Sequence, residues 1–145
     1  MKVNDKIYCT NVGVYSNQLT KRKCYSIGEI NSQNVRIYND ENRLRWYSKF
    51  YFSSEIDPEI VSIHLDDNIK NAESDAVEVT FTFSNQDKYW VAFTTPKYLD
   101  QLLEAQPYLS IDSIIIVKNL NDGIIKSTIY KLDAQNELTG NCKKY

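Results

Sequence analysis

Val77-Glu78-Val79-Thr80-Phe81-Thr82-Phe83-Ser84-Asn85-Gln86-Asp87-Lys88-Tyr89-Trp90-Val91-Ala92-Phe93-Thr94-Thr95-Pro96 is the stretch that decides the fold of the second half of the chain. Apolar residues recur at every second position from Val77 to Phe83, the period of a strand with one buried face. The polar run 84–88 supplies a turn, and Tyr89 to Thr94 returns as the partner strand of a hairpin. Thr95-Pro96 then opens a helix. The threonine caps it, and the proline takes the first helical position, where its missing N–H has no partner to lose. Leu99, Leu102 and Leu103 make the apolar stripe of that helix, and Pro107 ends it.

Working outward, Glu59 to Leu65 alternates as a preceding strand. Ser113-Ile114-Ile115-Ile116-Val117 reads as a fully buried strand. Asn121 opens a second helix, with Leu120 and Ile125 at the positions of a hydrophobic staple. Ile125, Ile129 and Leu132 continue its stripe toward an end near Gly140. The order βββαβα predicts an α+β domain over 56–145, an antiparallel-rich sheet with two helices on one face.

Residues 1–55 read as all-β. Lys6 to Val12 is a first strand, and 13–22 is a long polar loop. Lys23 to Ile30 and Val35 to Tyr38 follow as strands, then the turn Asn39-Asp40-Glu41-Asn42. Leu44 to Tyr47 and Lys49 to Phe52 complete the set. Five short strands with one long loop predict a small closed β-barrel, since strand pairs this short do not stand alone. A proline at Ile56-Asp57-Pro58 marks the boundary between the halves.

Composition narrows the class. The chain has 145 residues, 42% hydrophobic and 25% charged, with only four glycines and three prolines. Those values are globular and exclude collagen-like and low-complexity chains. Charges occupy the N-terminus where a secretory leader carries its apolar region, so a cytoplasmic location is expected. The longest apolar run, Ile114 to Val117, is far short of the roughly 18 residues of a membrane span. Cys9, Cys24 and Cys142 are odd in number and form no C-x-x-C pair, which predicts reduced thiols and neither a disulfide framework nor a zinc knuckle. Eleven tyrosines suit strands and contact surfaces alike.

Charge is divided unevenly. Residues 1–55 carry nine basic and five acidic side chains, a net +4, and every arginine lies among them. Residues 56–145 carry eight basic and fourteen acidic side chains, a net −6. From Glu55 to Glu78 eight carboxylates face only Lys70. Such asymmetry predicts a surface for a partner of opposite sign.

The first half resembles the small Src-homology-3-like (SH3-like) barrels of bacteria and phages. Gln18-Leu19-Thr20-Lys21-Arg22-Lys23-Cys24-Tyr25 is similar to their "L-T-x-G-K-x-Y" run. Arg36-Ile37-Tyr38-Asn39-Asp40 and Arg43 to Phe52 resemble the "Y-x-I-x-D-D-x-G-R-x-x-W-Y-P-K-x-x-F" end. Arg22 and Asn42 replace its two glycines and Ser48 its proline. The resemblance implies a five-stranded barrel and leaves the ligand open, because such barrels bind peptides, nucleic acid or nothing.

No nucleotide-binding, hydrolase or metalloprotease motif occurs, so no enzyme activity, catalytic residue or cofactor is expected. His64 belongs to an alternating strand and points to its polar side if Ile63 and Leu65 face inward. Asp66-Asp67-Asn68 lacks the third ligand, glycine and terminal glutamate of a calcium loop, so no metal is expected. Lys21-Arg22-Lys23, Arg43, Arg45 and Lys49, with Trp46, Tyr47 and Tyr51, could grip nucleic acid by stacking among cations. The tethered acidic half opposes a phosphate backbone.

Trp90 to Leu99, then Ile114 to Val117, Leu120, Ile129 and Leu132 to Leu138, resemble in pattern the immunity proteins of contact-dependent and other polymorphic bacterial toxin systems. That resemblance implies a stoichiometric inhibitor that occludes the active site of a cognate toxin domain, often a basic nuclease. The contact residues expected are Asp66, Asp67, Glu73, Asp75, Glu78 and the ring of Tyr89. A secondary basic and aromatic surface is expected at Arg43, Arg45, Trp46 and Lys49. The alternatives are a nucleic-acid-binding module using the barrel's basic face, or a peptide-binding adaptor.

Overall fold

The computed structural model describes Met1–Tyr145. The chain divides into two compact units, Met1–Asp57 and Pro58–Tyr145. Strand covers 32% of the chain and helix 20%, so the whole is a mixed α/β protein on three sheets with two helices.

In the first unit the expected barrel does not close. Strands β1 (Lys6–Cys9), β2 (Cys24–Ser26), β3 (Glu29–Ile30), β4 (Asn34–Tyr38), β5 (Leu44–Ser48) and β6 (Phe52–Ser53) form two separate three-stranded antiparallel sheets, ordered β2-β1-β6 and β3-β4-β5. The physical reason lies at two breaks. The run 23–30 is not one strand: Ile27 N–H donates to Asp5 in the first sheet, and Gly28 N–H donates to Arg36 in the second. The second break is the 3-10 turn Lys49–Tyr51, capped by Ser48, which ends β5 before β6 joins β1. Ile7, Cys9, Tyr25, Val35, Ile37, Tyr47 and Phe52 still bury one common core.

The departures from the barrel pattern carry a backbone signature. Arg22 has φ 69° and Asn42 φ 58°, both left-handed. Asparagine tolerates that region, whereas arginine is strained there by about 1–2 kcal/mol.

In the second unit, β7 (Ile60–Leu65), β8 (Ala76–Phe83) and β9 (Lys88–Thr94) form an antiparallel meander. Helix α1 (Pro96–Ala105) crosses over to β10 (Ile114–Ile116), which pairs parallel with the Ala92–Thr94 end of β9. Helix α2 (Asp122–Ala134) follows, and β11 (Lys143–Lys144) pairs antiparallel with Tyr89 and Trp90. The edge of β9 is thus shared by two short strands. Thr95 and Asn121 cap the helices through the Tyr98 and Ile124 amides. Helix α2 stops before Gly140 because Asn136, at φ 58°, closes it: Asn136 N–H donates to Asp133 and Glu137 N–H to Leu132.

The helices do not share one face. Val77, Val79, Phe81, Phe83, Val91 and Phe93 pack with Ile125 and Ile129 of α2, and Ile115 of β10 joins them. No residue of α1 is buried. Leu99 and Leu103 of α1 instead line an open groove with Ile116, which strand alternation turns to the side opposite Ile115. Strand β10, expected to be fully buried, is therefore not: it lies at a sheet edge, and Ile116 is 50% exposed.

No helix is long and apolar enough to cross a membrane.

Candidate functional site

Strand register assembles a mixed polar and aromatic surface on the side of the second sheet away from α2. His64 of β7 stands opposite Thr80 of β8, Thr80 opposite Trp90 of β9, and Trp90 opposite Lys143 of β11. The four form a row across the sheet. Their neighbours Val79, Phe81 and Val91 point to the core, so alternation leaves this row outward. Lys143 Nζ lies 5.5 Å from the Trp90 ring centre and 3.2 Å from Asp112. One step along, Glu78 stands opposite Ala92, and the Asp66 N–H donates 2.8 Å to the Glu78 carbonyl. Thr80 Oγ1 donates to Asp66 Oδ2 at 2.8 Å and lies 3.4 Å from the Tyr145 hydroxyl.

The acidic segment follows. Asp66, Asp67, Glu73 and Glu78 are exposed. Asp66 and Asp67 line a shallow polar hollow of about 390 Å³ with Asn68, Lys70, Asp75 and Ala76. Glu73 approaches Lys97 of α1 at 3.9 Å. Asp75 differs from the rest. It accepts from the Lys70 and Ala76 amides at 2.8 Å and from Asn71 at 3.4 Å, so it organises the loop from within. The hydrogen bond from Lys70, helped by those from Ala76 and Asn71, holds its carboxyl below the ordinary carboxylate value despite some desolvation.

Tyr89 is not the exposed ring of the hairpin. It stacks on Phe81 with centres 5.7 Å apart and meets Phe83 edge-on, on the core side. Trp90 is the outward ring. Alternation contained that signal, because Tyr89 shares parity with the buried Val91 and Phe93.

The secondary basic surface is also rearranged. Trp46 stands opposite Arg36, whose guanidinium lies 5.9 Å from its ring centre and pairs with Glu29. Leu44 and Tyr38 share that side of the ladder. Arg45 has the parity of the buried Tyr47, so it does not share a face with Trp46, and Arg43 precedes the strand. Lys49 falls in the 3-10 turn. Lys23 is tied to Asp40 at 2.7 Å.

His64 is well exposed, 3.8 Å from Asp66 Oδ1. No group of three or more His, Cys, Asp or Glu side chains is arranged to hold a metal ion. Burial pushes the Cys9 and Cys142 thiols up to about 11, while Cys24 is exposed. Taken together, this side of the sheet carries an aromatic ring, a threonine hydroxyl and unburied carboxylates. Compared with known protein families, with curated proteins and with solved structures, the chain matches none.

Proposed function

We propose that this protein is an inhibitor that acts by binding: an immunity protein that docks a basic toxin domain, such as a nuclease, and occludes its active site without turnover. The observation that carries this reading is the placement of Asp66, just past the end of β7, beside Glu78 of β8, which by strand alternation faces the same side of the sheet as Trp90. Carboxylates presented this way steer a cationic partner, and steering raises association rates well above the roughly 10⁵–10⁶ M⁻¹s⁻¹ of neutral encounters. An aromatic ring beside them supplies the rigid contact area that interfaces favour. The nucleic-acid reading is weaker, because Arg36 already occupies Trp46 and is neutralised by Glu29.

The test is co-expression with the C-terminal domain of the adjacent upstream open reading frame. Rescue of growth together with a one-to-one complex is the expected result. A toxic domain that this protein neither relieves nor binds overturns the proposal.

A further inference from the structure

We propose that the free edge of β7 is a strand-addition site, and that an extended segment of the toxin domain, basic at both ends, pairs with it as a further strand. This rests on the inhibitor reading above. In the five-stranded sheet β7 stands last, with β8 on one side and no strand on the other. Asp66 N–H donates to the Glu78 carbonyl at 2.8 Å, in the pair that follows Leu65–Val79 along the ladder. Antiparallel ladders alternate hydrogen-bonded and non-hydrogen-bonded pairs. Ser62 and His64 therefore bond to β8 as Asp66 does, and Ile63 and Leu65 turn their N–H and C=O groups away from it. Native edges are ordinarily blunted by lysine, proline or shortness. Residues 59–67 contain neither lysine nor proline, and β7 is six residues long, an ordinary strand length. A bulge between Ile60 and Ser62 interrupts only its first end.

Charge and alternation select the occupant. Glu59 precedes the strand, and Asp66 and Asp67 follow it, all three exposed. A second copy added across a twofold axis would run antiparallel, and the Glu59 end of each copy would lie beside the Asp66-Asp67 end of the other. Like charges set opposite one another on paired strands are destabilising, so this edge disfavours its own copy. An incoming strand with lysine or arginine at both ends meets an opposite charge at each. Between those ends it needs period-two alternation. On one side Ile60, Ile63 and Leu65 are only partly buried at the margin of the core, so apolar side chains there extend it. On the other side Ser62 and His64 stand in line with Thr82 and Thr80, so polar side chains fit. In strand addition the main-chain hydrogen bonds give affinity and the alternate side chains give specificity.

The test is amide hydrogen exchange, read residue by residue, in the free protein and in its complex with the C-terminal domain of the upstream open reading frame. In the free protein the Ile63 and Leu65 amides are expected to exchange about tenfold faster than that of His64, and in the complex to slow by about tenfold or more. Ile63→Pro removes an outward N–H and is expected to weaken the complex about tenfold, whereas Ile63→Ala keeps that N–H and weakens it less. An Ile63 amide as slow as that of His64 in the dilute free protein overturns the open edge. A complex in which both amides exchange as they do in the free protein overturns the edge site and leaves the inhibitor reading standing. A wild type that forms no complex with that domain overturns both. Protection of the same amides that grows with the concentration of the free protein assigns the edge to a second copy and overturns this proposal.

Discussion

Ser74 donates a 2.9 Å hydrogen bond to the side-chain oxygen of Gln101, joining the acidic loop to α1 across 27 residues of sequence. Four residues before Gln101, Lys97 meets Glu73, so two contacts seat the loop on the helix. The acidic loop, distant from α1 in sequence, is thereby held against one flank of the crossover helix.

Asp40 is the polar centre of the first unit. It accepts from Thr20 Oγ1 at 2.6 Å, Lys23 Nζ at 2.7 Å and the Tyr25 hydroxyl at 2.9 Å. Partial burial pushes its pKa up, but the hydrogen bonds from Lys23, Thr20 and Tyr25 together outweigh burial and set it below the ordinary 3.8. A folded-state value below the unfolded one stabilises above the unfolded pKa and is lost as pH falls through the folded value. Asp40→Asn is therefore expected to cost about 1–3 kcal/mol at pH 7 and clearly less near pH 3. Urea unfolding at both pH values checks this, and an equal cost at both contradicts it.

Tyr89 and Trp90 are neighbours in β9 with opposite roles. Tyr89→Ala removes a ring packed on Phe81 and Phe83 and is expected to cost about 2–3 kcal/mol. Trp90→Ala removes an outward ring and is expected to cost less than about 1 kcal/mol while weakening toxin binding. Thermal unfolding and binding of the two variants separate them. The reverse order of stability contradicts the packing described.

The thiols differ by environment. With Cys9 and Cys142 pushed to about 11, roughly one in a thousand of each is thiolate at pH 8. Maleimide is expected to label one site quickly, Cys24, and all three only in denaturant. Mass spectrometry of the labelled peptides reads the order directly.

Period-two alternation made the hairpin 77–94 legible, and local capping chemistry did the same for the helix starts at Thr95 and Asn121. The same alternation turns the Tyr89 ring, expected to be exposed, toward the core side with Val91 and Phe93. What the sequence could not show depends on pairing between distant strands. The handover at Ile27-Gly28 is decided by which carbonyls are within reach, Asp5 for one amide and Arg36 for the next. Arg36 meets Trp46 only because of the β4–β5 register. The two residues of β11 carry too little pattern to announce a strand. In the acidic segment, composition marked five carboxylates, and only geometry separates Asp75, turned to the loop's own amides, from the exposed four.

The central claim is that the acidic surface of the second unit steers a basic toxin domain. The most direct measurement is the association rate of the upstream-encoded domain with wild type and with Asp66→Lys/Asp67→Lys, across ionic strength. The account predicts association slowed by about tenfold at low salt, a flatter salt dependence, and dissociation changed less. Association rates that are equal for the two proteins at every salt concentration contradict it.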